Sequence, residues 1–161
     1  MKQRDIDKKF MLRCIELAEK SVDEEESPFG SVVTLNNKVL AESGNKTIKT
    51  RDITQHAEMR VILKAQKILS PSELTKCTLY TNCEPCPMCA FMIRELKFKR
   101  VVYAMVSPHM GGENKWNILK DKKLECFKPV FGKPPEVIGG FLKIIAKKTF
   151  DRAGWGPMFK K

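Results

Sequence analysis

The 161-residue chain predicts an α/β fold, a three-layer α/β/α sandwich around a central mixed sheet, built as a single domain over residues 1–161. Three observations carry that expectation. Short β-rich runs alternate with stretches of helical periodicity. Turn residues punctuate each change. The length suits one domain with its own core, and no repeat, linker or low-complexity segment divides it.

Residues 5–20 place Phe10, Cys14, Leu17 and Ala18 on one face, with Met11 and Ile15 beside them, which is an amphipathic helix. The acidic run 23–26, Ser27 and Pro28 end it. Residues 31–35 and 38–42 are β-rich around Asn36-Asn37, a hairpin signal because asparagine tolerates the positive φ of a two-residue turn. After a loop over 44–55, Ala57, Val61, Ile62, Ala65 and Leu69 recur at three- and four-residue spacing, a helix opening at His56 with Thr54 or Asp52 as its cap. Residues 77–81 read as a strand. A second helix opens at Cys86, because proline, here Pro87, lacks only an N–H that the first turn leaves unpaired. It continues through Ala90, Phe91, Met92, Ile93 and Leu96, followed by a strand over 100–105. Pro108, Gly111 and Gly112 make 107–119 a loop, with Trp116 expected as the buried aromatic that anchors it, or else as a wall of the substrate pocket. From Phe141 the chain reads as helical to about Ala153, breaking at Gly154 and Gly156-Pro157.

The net charge is +11, and residues 76–161 carry seventeen Lys and Arg against seven Asp and Glu. A solubilising surface is the ordinary reading of such an excess, and nucleic-acid contact is the other. The six cysteines do not imply a disulfide framework, since Met1-Lys2-Gln3-Arg4-Asp5 is charged and holds no apolar signal region; a reducing cytoplasm is expected. The apolar run 137–146 is cut by Lys143 and is too short for a membrane span, so no membrane partner is expected.

The chemistry concentrates in His56-Ala57-Glu58 and in Pro85-Cys86 with Cys89, together the His-x-Glu and Pro-Cys-x-x-Cys of zinc deaminases. They offer three metal ligands and one carboxylate that is not a ligand, which leaves a fourth zinc position for water. Cys86 and Cys89 fall on one face at a helix start, whose positive field favours thiolates. Two helix starts would thus meet at the metal. Residues two apart on a regular helix diverge, so spacing alone does not bring Glu58 to the pocket of His56. Two alternatives stand beside the catalytic metal. One is a closed structural zinc, completed by Cys83, Cys14, Cys77, Cys126 or His109; the other is an iron–sulfur site on Cys83, Cys86 and Cys89, whose fourth cysteine is replaced by Met92.

On these residues the chain resembles the cytidine deaminase superfamily, in the branch of bacterial guanine deaminases and tRNA adenosine deaminases. The likeness runs from about residue 10 to residue 105. It includes Ser27-Pro28-Phe29-Gly30, Gly44-Asn45, His56-Ala57-Glu58, and the stretch from Leu79-Tyr80-Thr81-Asn82 through Cys83-Glu84-Pro85-Cys86-Pro87-Met88-Cys89-Ala90. The last stretch is most similar to guanine deaminases. The resemblance implies one Zn2+ per chain on His56, Cys86 and Cys89, with Glu58 shuttling protons and Asn45 hydrogen-bonding the base. Phe29 would line a purine pocket, and the main-chain amide of Ala57 would contact substrate. It implies hydrolytic deamination of an aminated purine, guanine to xanthine and ammonia first, by a homodimer; tRNA adenosine-to-inosine editing, or deamination of another base or nucleoside, is the alternative. A zinc-stabilised nucleic-acid-binding module is the non-enzymatic alternative, favoured by charge alone. Guanine deaminases of this type also read the base with an acid downstream and a C-terminal aromatic tail exchanged between subunits. Here the counterpart of the acid is Asn117, with Glu113 and Asp121 nearby, and the chain ends Gly156-Pro157-Met158-Phe159-Lys160-Lys161.

Overall fold

The computed structural model describes residues 2–159; Met1, and Lys160 and Lys161 at the end of the basic stretch, lie outside the described residues. Helix α1 (Gln3–Asp23) leads into β1 (Gly30–Leu35) and β2 (Lys38–Gly44), then α2 (Thr47–Thr50), α3 (Ala57–Ile68) and α4 (Pro71–Leu74). Strand β3 (Thr78–Cys83), α5 (Pro87–Glu95) and β4 (Arg100–Met105) form a strand–helix–strand unit, and β5 (Glu136–Ile138) and α6 (Lys143–Arg152) follow. The sheet runs β2-β1-β3-β4-β5. Antiparallel pairs join β1 to β2 and β3, and parallel pairs join β4 to β3 and β5, so the sheet is mixed as expected. Asn36 and Asn37 both take positive φ, at 50° and 61°, which closes the β1–β2 hairpin with Leu35 opposite Lys38.

Each sheet face is covered by two main helices. Val61, Ile62 and Ala65 of α3 and Ala90 and Ile93 of α5 pack with Val33, Leu79 and Val101 on one face. Phe10, Met11 and Cys14 of α1 and Ala146 and Phe150 of α6 pack with Val32, Tyr80 and Val102 on the other. The alternation of Val32 with Val33 and of Leu79 with Tyr80 follows from the period of two along a strand. Gly30 lets α1 approach: a Cβ there would collide with the Cys14 carbonyl oxygen. On the α1 side, the Arg100 guanidinium donates to both Asp7 oxygens at 2.6 and 2.8 Å, and the Tyr80 hydroxyl donates to Asp7 at 2.8 Å. This buried ion pair ties the helix to β4.

Three features depart from the sequence expectation. Strand β5 has three residues after Pro134-Pro135, too few to show a period, and forms because β4 leaves an edge to pair with. Helix α1 is two residues longer at its start and continues to Asp23, where Glu25 turns the chain at φ 60°. Trp116 is 56% exposed and anchors nothing; its nearest marked partner is the Lys115 ammonium, 5.9 Å from the ring centre. The 107–119 loop is instead held by two buried charges and by Ile118 and Leu119. The Glu84 carboxylate accepts from the amides of Ser107 at 2.8 Å, Glu113 at 2.9 Å and Asn114 at 2.7 Å. The Arg94 guanidinium donates to the carbonyls of Ile118 at 2.7 Å, Asp121 at 2.9 Å and Gly132 at 3.1 Å. A single aromatic would cover a loop but leave its amides and carbonyls unpaired, whereas a buried carboxylate and guanidinium satisfy them. Glu84→Ala leaves three partly buried amides without an acceptor, so we expect a loss of about 2–3 kcal/mol in denaturant unfolding. A loss below about 1 kcal/mol would mean that the loop is held by other contacts.

Candidate metal centre and active site

The starts of α3 and α5 meet at the C-terminal end of β3; the α3 cap is His56 itself and not Thr54 or Asp52, because the Asp52 carboxylate is taken by the Thr54 amide and hydroxyl. His56 is the N-cap of α3, with an extended backbone at φ −59° and ψ 148°. Cys86 is the N-cap of α5, followed by Pro87 at the first helical position. His56 Nδ1 lies 3.6 Å from Cys86 Sγ and 3.7 Å from Cys89 Sγ, and the two sulfurs are 3.7 Å apart. Sulfurs at ~2.3 Å and a nitrogen at ~2.0 Å from one tetrahedral zinc would be separated by about 3.5–3.8 Å, so the three side chains fit the ion. They form one metal-ligating group, and among the described residues no fourth His, Cys, Asp or Glu joins it. Cys83 lines the adjoining cavity, Cys14 and Cys77 are buried elsewhere, and Cys126 is exposed. Three ligands fit an open site rather than a closed structural one.

Glu58 turns into the same cavity as His56. The divergence expected of residues two apart applies inside a helix, and His56 is not inside one: its extended ψ swings its ring back toward the first turn. Burial pushes the Glu58 carboxyl up to about 7, with the Cys86 sulfur adding to it. A carboxyl that titrates near neutrality suits a group that must both take and give a proton. The Cys89 thiol donates to the Cys86 sulfur, and with the His56 ring it pulls the Cys86 thiol down to about 4 against burial. Cys86 is thus prepared to carry negative charge, whereas the Cys89 thiol is pushed up by its hydrogen bond to Cys86 and by its burial.

The cavity is about 300 Å³. Of the residues anticipated as substrate contacts, Asn45 and Phe29 lie on its wall. Asn45 is 1% exposed, and Asn82 fixes the strand entry beside Phe29 by accepting from Gly30 N and donating to Pro28 O, both at 2.9 Å. Ala57 is fully buried and its side chain is not part of the wall; its amide belongs to the first turn of α3, where N–H groups have no intrahelical acceptor. Asn117, Glu113 and Asp121 do not line the cavity. Asn117 is exposed at φ 52°, Glu113 accepts from the Tyr103 hydroxyl at 2.6 Å, and Asp121 caps a 3₁₀ turn over Lys122–Phe127.

Sequence reasoning missed several wall residues. Ser27 comes from the turn before β1, Thr47 from the start of α2, Ser107, His109 and Met110 from the loop after β4, and Trp155, Met158 and Phe159 from the C-terminal segment. Gly154, at φ 77°, ends α6 and turns that segment back over the pocket of its own chain. There Trp155 packs edge-on to Phe29 at 5.3 Å, and Phe159 to Phe150 at 4.7 Å. The aromatic tail was visible in the sequence; its closure over the same subunit was not. Among the described residues, no Lys or Arg lines the cavity.

Three metal-ligating side chains at two helix starts, with a buried carboxylate between them and the pocket, define a site of the zinc-type deaminase class. The chain belongs to the cytidine and deoxycytidylate deaminase family, whose zinc-binding region model matches residues 4–105. It is 41% identical to guanine deaminase of Bacillus subtilis over 96 residues, 59% of this chain and 62% of that protein. It is 34% identical to chloroplastic tRNA(adenine(34)) deaminase of Arabidopsis thaliana over 114 residues, 71% of this chain but 9% of that protein. The chain therefore spans less than two thirds of either relative. A solved structure from a study of A-to-I editing by tRNA:A34 deaminases superposes with a TM-score of 0.78 at 29% identity, covering 88% of this chain and 99% of that one. No helix among the described residues is long and apolar enough to cross a membrane.

Proposed function

We propose that the protein is a zinc-dependent hydrolytic deaminase of a free aminated purine, with guanine, converted to xanthine and ammonia, as the first choice. The observation that carries the substrate class is the cavity: about 300 Å³, partly aromatic, with no cation on its wall among the described residues. A neutral ring fits such a wall, whereas a phosphate chain would be met by Glu58 and Glu84. His56, Cys86 and Cys89 would hold the zinc, which supplies a water acidic enough to ionise near neutral pH. Glu58 moves the protons, first to the ring nitrogen beside the attacked carbon and then to the departing amino group. Phe29 and Trp155 give the ring apolar faces, and Asn45 and the Ala57 amide give it polar contacts. A homodimer belongs to this reading and is checked by light scattering; exposed Leu63 on α3 and Phe91 on α5 are apolar surface available for it.

A second reading, tRNA adenosine-to-inosine editing, is favoured by the match along nearly the whole length of a tRNA:A34 deaminase chain and by the basic second half. Ammonia release from guanine, adenine, their nucleosides and a tRNA anticodon stem–loop separates the two. We expect guanine turnover that changes less than about threefold between low and moderate salt, since a neutral base has no counterions to release. Deamination of the stem–loop alone, collapsing with added salt, would overturn the first choice. Asn45→Ala should cost roughly 1–3 kcal/mol in kcat/KM for guanine by removing a buried polar contact. An unchanged kcat/KM would take Asn45 out of the binding site.

A further inference from the structure

Glu26, in the turn between α1 and β1, is a buried carboxylate for which neither the metal nor the proton chemistry has a use; it is 5% exposed. Its Oε1 accepts from the Lys49 amide at 2.7 Å, and its Oε2 accepts from the Ile48 amide and from Asn45 Nδ2, both at 3.1 Å. Burial raises this carboxyl, but the Lys49, Ile48 and Asn45 hydrogen bonds outweigh it and hold the group below the usual carboxylate range. Glu26 is therefore ionised at neutral pH and can only accept. An acceptor-only partner settles which end of the Asn45 amide faces it: the NH2. The second NH2 hydrogen goes to Thr47 Oγ1 at 2.7 Å. Both donors of Asn45 are thus committed; Asn45 lines the cavity, and the one side-chain polar atom it has left to offer is its carbonyl oxygen.

We infer that Glu26 is a positioning residue that presents Asn45 to the pocket carbonyl-first, so that the bound ring must offer an N–H at the edge that meets it. This rests on the purine reading above and narrows it. A free purine base carries a mobile N–H on its imidazole ring. In a nucleoside the sugar replaces that hydrogen and the remaining imidazole nitrogen offers a lone pair, which a carbonyl oxygen repels. With the imidazole edge turned to Asn45, the arrangement selects free bases over nucleosides without any steric exclusion. Glutamine at position 26 can reverse it: with its carbonyl on the Lys49 amide, its NH2 takes the Oε2 place, gives up the Ile48 amide and donates to Asn45, whose own NH2 then faces the pocket. Thr47 tolerates either orientation, because a hydroxyl both donates and accepts.

The test compares guanine with 7-deazaguanine and 9-deazaguanine, isosteres that fix the imidazole-ring hydrogen on N9 and on N7 respectively. Binding is measured by calorimetry on zinc-loaded Glu58→Gln protein, with and without Glu26→Gln. With Glu26 present, guanine and one deaza isomer should bind within about threefold of each other. With Glu26→Gln, guanine can move its hydrogen and present a lone pair but the deaza isomer cannot, so the isomer should fall at least about tenfold relative to guanine. A ratio unchanged within about twofold, in Glu26→Gln protein whose Asn45 NH2 has lost its nuclear Overhauser contact to the Ile48 amide, overturns the inference. If guanine does not bind even with Glu26 present, the purine reading fails, and the orientation of Asn45 is decided on ligand-free protein. There, nuclear Overhauser contacts between the Asn45 side-chain NH2 and the Ile48 and Lys49 amide protons are expected with Glu26 and lost with Glu26→Gln. Their absence with Glu26 in place overturns the inference as well.

Discussion

Glu58→Gln should keep about one zinc per chain and still bind purine while turnover falls by a factor on the order of 10²–10⁴. The carboxylate lies in the first turn of α3, 5% exposed and facing the cavity beside His56 and Cys86, yet outside the metal-ligating group. An amide of the same size fills the same space and cannot take a proton from the nucleophile or give one to the departing amino group. Metal content measured beside rate decides the matter. Loss of zinc with the rate would make the carboxylate a ligand or a structural support, and retention of full turnover would remove it from the chemistry.

His56→Ala, Cys86→Ala and Cys89→Ala should each lose the metal, and deaminase activity should fall to background. Elemental analysis of the unsubstituted protein should give about one zinc per chain and no iron. The reason is geometric: three ligands 3.6–3.7 Å apart leave none to spare, so removing any one halts the set. Because zinc binds the folded arrangement and not the separated residues, its loss should also lower the unfolding midpoint. Complete unfolding is not expected, since the cores around Phe10 and Ile62 do not include the ligands' side chains except by adjacency. An iron–sulfur absorption band, or full activity in freshly purified protein without metal, would overturn the assignment.

The parts of the fold legible in the sequence were those written in local periodicity and capping. The β1–β2 hairpin followed from Asn36-Asn37, the α5 start from Cys86-Pro87, and the end of α6 from Gly154, because each depends on backbone preferences of the residues themselves. The ligand set was legible for the same reason: two helix starts carry it, and each is marked locally. The 107–119 loop was not. What holds it is Glu84, which in the sequence is an ordinary residue of the Cys83–Cys86 stretch, and Arg94, which reads as a surface basic residue on α5 but is 1% exposed. A buried charge gives no periodic signal, and Trp116 supplied a misleading one.

The amino-acid sequence by itself determined the layer order, the His56, Cys86 and Cys89 group able to hold a metal, and its class of chemistry, because ligand type and helix-start signals act over a few residues. Only the tertiary structure decided that Glu58 shares the pocket of His56, that the tail from Trp155 to Phe159 packs on Phe29 and Phe150 at the pocket, and that Glu26 turns Asn45 carbonyl-first. Those outcomes rest on an N-cap dihedral, on a left-handed glycine followed by aromatic packing, and on a carboxylate meeting an amide 19 positions away. Each sets a direction in space, and direction between segments exists only once the sheet and its helices have fixed where the segments lie.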